Sequence, residues 1–182
     1  MKTAIVFLAE GFEECEGLLV VDLLRRAGVR VITASVTGRR EVVSSHQVPI
    51  TADALAEDAD FASADMLVLP GGMPGTTHLG ESPIVLEQCR AFAGDRYVAA
   101  ICAAPSVLAS LGLLEGKNAA CHPSVEPKMA GAVLTGRPVE TAGNVITGQG
   151  LGAAIPFALE LVRLLTDQET ADRIAAAICY RG

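Results

Sequence analysis

The sequence predicts an α/β fold built on a largely parallel sheet, and two observations carry that prediction. Short apolar or β-branched runs alternate with segments of helical periodicity along the chain, which is the pattern of βαβ units. The residues that follow successive predicted strands are also chemically distinctive: acids, a glycine pair, a thiol, an imidazole and a second glycine turn. In an open parallel sheet the carboxyl ends of the strands form one ligand-binding edge, so these groups converge there.

Taken in order, the first strand is Thr3–Ala9. The first helix is Cys15–Ala27, where Cys15, Leu18, Leu19, Asp22, Leu23 and Arg26 recur at three- and four-residue spacing. Gly28 stands where a glycine ends a helix. A second strand is Val29–Ser35, and the extended pieces Val42–Ser44 and Val48–Ile50 form a hairpin. Met66–Leu69 is a strand, Ile84–Ala93 a helix, Val98–Ile101 a strand and Pro105–Leu111 a helix. Strands at Asn118–Cys121 and Val145–Thr147 and helices at Ala153–Leu165 and Glu169–Cys179 complete the chain, with Asp167 or Thr166 capping the last helix. No repeat, low-complexity tract or linker interrupts 1–182, so the chain is read as one domain with one core.

Composition excludes several classes. With 51% hydrophobic and 19% charged residues the chain is not a disordered one. A net charge of −7, no Trp and only five Phe and two Tyr argue against a nucleic-acid surface. No apolar run reaches the roughly eighteen residues of a membrane span. Met1–Ala9 imitates a signal peptide, but Glu10, Glu13, Glu14 and Glu16 follow where cleavage would occur, so a cytoplasmic protein is expected. Five cysteines with no CxxC pair read as free thiols in such a compartment. His46, His78 and His122 show neither HxxxH nor HxH spacing, so no metal is expected. The glycines at Gly71 and Gly72 lack the Lys-Ser/Thr of a Walker loop. The Gly148–Gly152 run lies too late in the chain for a dinucleotide unit, and no cofactor is expected.

The candidate site is built around Cys102. The apolar run Tyr97–Ile101 ends at this cysteine and a helical pattern begins at once, which is the layout of a nucleophile elbow. Backbone N–H groups at a helix start favour the thiolate, so a thiol pKa below the ordinary value of about 8.5 is expected. The competing reading is a buried structural cysteine. Glu16 falls near the first helix start, where a carboxyl group can hold or shuttle a proton, whereas Glu13 and Glu14 read as acids complementing the helix dipole. The N–H groups of Gly71, Gly72 and Ala103 form a candidate oxyanion hole, against the alternative of a plain turn after Pro70. His122 is the one histidine at a predicted strand end, with a structural imidazole as its alternative, while His46 and His78 fall in loops. Cys121 and Cys179 are expected in the core and Cys15 partly exposed.

These residues together resemble the ThiJ/PfpI superfamily, in the branch of the parkinsonism-associated protein deglycase and bacterial YajL. The resemblance runs through Gly11-x-Glu13-Glu14-x-Glu16, Arg25-Arg26-Ala27-Gly28, Leu69-Pro70-Gly71-Gly72, Ala100-Ile101-Cys102-Ala103, His122-Pro123 and Gly148-x-Gly150. It implies a flavodoxin-like three-layer sandwich, a homodimer, Cys102 as the reactive residue and Glu16 as its hydrogen-bonding acid. It also implies His122 as a helper, a backbone hole from Gly71, Gly72 and Ala103, and a dimer-side pocket holding Arg26 and His46. Relatives tend to place arginine where this chain has His46, so the resemblance implies weaker, pH-dependent anion binding there. Ala103 stands where the intracellular-protease branch has histidine, and no His-x-Glu follows His122 as glutamine amidotransferases require. Peptidase and amidotransferase readings therefore fall away, and no residue supports thiazole biosynthesis.

Two functions are consistent with such a thiol. The first is cofactor-independent processing of glyoxal, methylglyoxal or their early glycation adducts, as a deglycase or glutathione-independent glyoxalase in stress protection. The second is a non-catalytic redox sensor or chaperone-like protein acting through oxidation of Cys102.

Overall fold

Alternate residues of the first strand enter two different cores, and this sets the architecture. A computed structural model describes residues 1–182. In it β1 spans Thr3–Leu8 and is buried throughout. Ala4, Val6 and Leu8 point into one core and Ile5 and Phe7 into the other. A strand covered on both faces needs no polar alternation, which is why Ala-Ile-Val-Phe-Leu reads as a continuous apolar run.

The other strands of the main sheet are β2 (Arg30–Ser35), β5 (Ala54–Leu55), β6 (Met66–Leu69), β7 (Tyr97–Ile101), β10 (Val139–Ala142) and β11 (Val145–Gly148). Their spatial order is β10-β11-β7-β6-β1-β2-β5. Every pair is parallel except β10 with β11. Helices α1 (Glu14–Arg26), α5 (Ala154–Leu165) and α6 (Gln168–Ala177) cover one face, with Phe157, Leu161 and Leu24 in that core. Helices α2 (Gly75–Glu81), α3 (Pro83–Phe92) and α4 (Pro105–Ser110) cover the other, where Phe92, Leu79 and Leu108 are buried. The result is the three-layer α/β sandwich expected. Asp167 caps α6, its side chain accepting from the Thr170 N–H at 2.7 Å.

β3 (Glu41–Val43) and β4 (Pro49–Thr51) form the expected antiparallel hairpin outside the main sheet. It is fastened to the turn after β1: the Gly11 N–H donates to Val43 O at 2.8 Å and the Ser45 N–H to Phe12 O at 2.8 Å.

Several expectations need correction. The segment 118–121 is not a strand of the main sheet. Only β8 (Asn118–Ala119) is extended, paired with β9 (Val133–Leu134) in a sheet of its own. Ala120 instead meets β11 through a side chain, its N–H donating to Thr147 Oγ1 at 2.9 Å. The edge strand β10 and helix α2 were not expected. β10 is four residues with a buried Glu140 at its centre, and α2 carries glycine and two threonines; tertiary packing overrides both local signals. His78 accordingly lies in α2 and not in a loop, its Nδ1 2.8 Å from Glu10 O. Cys179 is exposed because α6 ends two residues before it, whereas Cys121 is buried as expected. No helix is long and apolar enough to cross a membrane.

Candidate active site at Cys102

The carboxyl ends of β1, β6, β7 and β11 lie side by side in the sheet, and each delivers one part of the site. β7 ends at Ile101, and Cys102 follows in a left-handed conformation with φ 64°. A non-glycine residue in this region costs about 1–3 kcal/mol and persists only where its surroundings impose it. They do so here: the Cys102 N–H donates to Gly148 O at 2.9 Å and Cys102 O accepts from the His122 N–H at 2.8 Å. The backbone is thus clamped from both sides, and the thiol stands at the junction of strand and helix.

The turn after β1 delivers Glu16. Glu13 caps α1, accepting from the Glu16 N–H at 2.6 Å, as a helix-start acid does. Glu16 lies one turn on, only 1% exposed, with Oε2 accepting from the Gly71 N–H at 3.0 Å. Its carboxyl group also stands beside the Cys102 thiol, close enough for each to shift the other's titration. Gly71 sits between the two: a Cβ there would stand 2.5 Å from Cys102 Cβ and 2.6 Å from Glu16 Oε2, so any side chain would break the contact.

The electrostatics correct one expectation. Burial pushes the Glu16 carboxyl up to about 7, against the effect of the Cys102 thiol, with the Glu13 charge adding to the rise and the Gly71 N–H opposing it. Burial pushes the Cys102 thiol up to about 12, helped by the Glu16 carboxylate and opposed by the N–H groups of Gly72 and Ala103. The thiol is therefore not acidic by itself while Glu16 is ionised. A thiolate forms when the proton of the pair passes to Glu16, which leaves one negative charge under the Gly72 and Ala103 donors. Gly71 is not a free donor of the hole, because its N–H is taken by Glu16.

A cavity of about 680 Å³ opens over the sulfur, lined by Glu13, Glu16, His46, Cys102 and His122 among others. His122 is exposed at the rim. Its Nδ1 accepts from the Ser124 N–H at 3.2 Å, which leaves Nε2 as the protonated nitrogen of the neutral ring. The hairpin places His46 at the mouth, with Nδ1 2.9 Å from Glu14 Oε1 and 4.0 Å from Glu13 Oε1. Arg26 does not line this cavity. It lies twelve residues along α1 from Glu14, roughly 18 Å at 1.5 Å per residue, and pairs with Asp22 at 2.9 Å. Pro138, Gln149 and Gly150 also line the cavity. Pro138 had no signal in the sequence because the edge strand it precedes had none, while Gly150 and Gln149 belong to the late glycine turn.

Residues 2–164 match the model of the DJ-1/PfpI family. The chain belongs to that family. Among DJ-1/PfpI relatives it is 37% identical to the protein dj-1beta of Drosophila melanogaster over 180 residues, covering 97% of this chain and 96% of that one. It is 30% identical over 182 residues to the glutathione-independent glyoxalase DJR-1.2 of Caenorhabditis elegans, covering 98% and 96%. The structure of Toxoplasma gondii DJ-1, oxidized, superposes with a TM-score of 0.95 at 32% identity over the whole of both chains. The flavodoxin-like sandwich is thus the DJ-1 fold.

Proposed function

We propose that this protein converts small reactive carbonyls, or their early adducts, to hydroxy acids through Cys102, without a cofactor, in the cytoplasm. The observation that carries the reading is Cys102 held at φ 64° with a buried Glu16 carboxyl on its sulfur. The glyoxalase name of one relative supports the substrate class.

For methylglyoxal, the proton of the Cys102–Glu16 pair passes to the carboxylate as sulfur attacks the aldehyde carbon. The C–S bond forms, the carbonyl π pair moves to oxygen, and the Gly72 and Ala103 N–H groups receive that charge. Protonation gives a hemithioacetal. Glu16 then takes the proton from the former aldehyde carbon, the ketone oxygen is protonated to give an enediol, and return of a proton to the adjacent carbon leaves a thioester. The substrate is oxidised at one carbon and reduced at the next, so no external electron acceptor is needed. Water cleaves the thioester, releasing lactate and restoring the thiol. His122 at the rim is suited to orient that water.

The test is consumption of methylglyoxal in the absence of glutathione. Cys102→Ser is expected to abolish it, and Glu16→Gln to lower it by about 10²-fold or more, the scale of a lost general acid–base group. Consumption undiminished in Cys102→Ser would refute the reading.

A further inference from the structure

Four glycines stand close to Cys102, and packing accounts for three of them. A Cβ at Gly71 would meet Cys102 Cβ at 2.5 Å, one at Gly72 would run into the backbone of Glu13 and Phe12, and one at Gly148 would meet Ile101 Cγ1 and Phe157 Cδ2 at 2.9 Å each. Gly150 differs. Its backbone is extended at φ 161°, a conformation open to any residue. A Cβ there would stand 3.7 Å from His122 Cδ2 and 3.9 Å from Cys102 Sγ, both ordinary van der Waals distances. Packing would accept alanine at this position. What the glycine leaves open is a carbon-sized gap that touches thiol and imidazole at once. The atoms that bound the gap belong to one chain and are held by its own backbone. The Gln149 N–H donates to Pro138 O at 2.9 Å and Gly150 O accepts from the Ala153 N–H at 2.8 Å, which fixes the turn. Cys102 is tied in turn to Gly148 O and to the His122 N–H, so sulfur, imidazole and turn form one hydrogen-bonded unit. Cys102, His122 and Gly150 all line the same cavity.

We infer that Gly150 is a specificity-determining residue: the carbon that a side chain there would supply is supplied by the substrate, so this position sets how large a group beside the attacked carbonyl can reach Cys102. The substrate class rests on the proposed carbonyl chemistry; the steric selection rests on the distances about Gly150. In an α-dicarbonyl the two carbonyl carbons are bonded to each other. With one of them at Sγ, its neighbour falls in the gap against the His122 ring. Glyoxal carries a hydrogen on that neighbour and methylglyoxal a methyl group. A methyl group on residue 150 would compete with the second and spare the first.

Uncharged methanethiosulfonates carrying methyl, ethyl and benzyl groups read the gap without turnover. In each, the sulfenyl sulfur bonds to Cys102 Sγ, its bond to the sulfonyl sulfur breaks, methanesulfinate leaves and the thiol proton passes to solvent. Rates at Cys102 are taken by peptide mass, because Cys15 and Cys179 are also exposed, and normalised to a small free thiol. Gly150→Ala is expected to melt with the parent and to take the methyl reagent at close to the parent's rate. It should slow the benzyl reagent by about 10-fold or more, the usual weight of one misplaced carbon in a fitted site. Gly150→Val should slow the methyl reagent as well. With turnover as readout, kcat/KM in Gly150→Ala should fall about 10-fold further for methylglyoxal than for glyoxal. A methyl-to-benzyl rate ratio in Gly150→Ala equal to the parent's overturns the assignment. So does a Gly150→Ala chain that does not fold, because packing and not the cavity would then require the glycine. Labelling in the expected order without consumption of either dicarbonyl refutes the proposed activity and leaves the steric role of Gly150 standing. Consumption of both dicarbonyls with an unchanged labelling ratio refutes that role alone.

Discussion

Cys102 and Glu16 were legible as single residues because each sits at a point where the periodicity of the chain changes. The apolar run before Cys102 stops abruptly, and Glu16 opens a helix that is otherwise apolar on one face. The sign of the thiol's pKa shift was not legible. It depends on burial and on the Glu16 charge, which oppose the backbone donors that the sequence suggested. The same burial makes Glu16 a stability switch. Its carboxyl is raised from 4.5 to about 7 in the folded chain, so between those values the folded state keeps a proton that the unfolded state has lost. Stability therefore falls as pH rises through that window and levels off above it, by roughly 3 kcal/mol in all. Thermal melts from pH 5 to 8 are expected to show a loss of several degrees in the parent, at about 2–4 °C per kcal/mol for a chain of this size. Glu16→Gln should flatten this dependence, and a variant that melts with the parent's pH profile would remove Glu16 as its source.

At the scale of elements, the turns matter more than the strands they join. Gly72 and Gly28 both have positive φ, 90° and 77°, yet they differ in what surrounds them. A Cβ at Gly28 would meet nothing within 4 Å, whereas one at Gly72 would run into the backbone of Glu13 and Phe12. Gly28→Ala is expected to cost about 1–2 kcal/mol, the penalty of left-handed backbone for alanine. Gly72→Ala must also displace the cap of α1, so denaturant unfolding should show a larger loss together with slower Cys102 alkylation. Equal costs would mean that the β6–α2 turn does not set the position of Glu16. The hairpin of β3 and β4 was expected, but its attachment over the first turn was not, because two backbone hydrogen bonds to Gly11 and Phe12 leave no mark on side-chain pattern. That attachment is what brings His46 to Glu14.

For the whole molecule, a sheet with helices on both faces followed from the sequence because continuous apolar strands alternate with amphipathic helices, and the central strands β1, β6 and β7 bury both their faces. The homodimer implied by the family resemblance is a matter of surface, which hydrophobic period does not report. Light scattering is expected to give twice the 18.8 kDa chain mass, and the chain mass itself at micromolar concentration would reject the dimer. The sequence by itself determined a largely parallel α/β sheet, the sheet edge that carries the chemistry and the thiol on it, since these follow from local periodicity and the rule that ligands meet strand ends; the three layers and Glu16 as the partner of Cys102 came with the family resemblance. Only the tertiary structure decided that Gly71 serves Glu16 and not the oxyanion hole, that segment 118–121 leaves the main sheet, and that Glu13, Glu14 and His46 meet at the mouth of the cavity. Those outcomes depend on which backbone donors and charges become neighbours after the chain has folded, and residues 32 positions apart share no local signal.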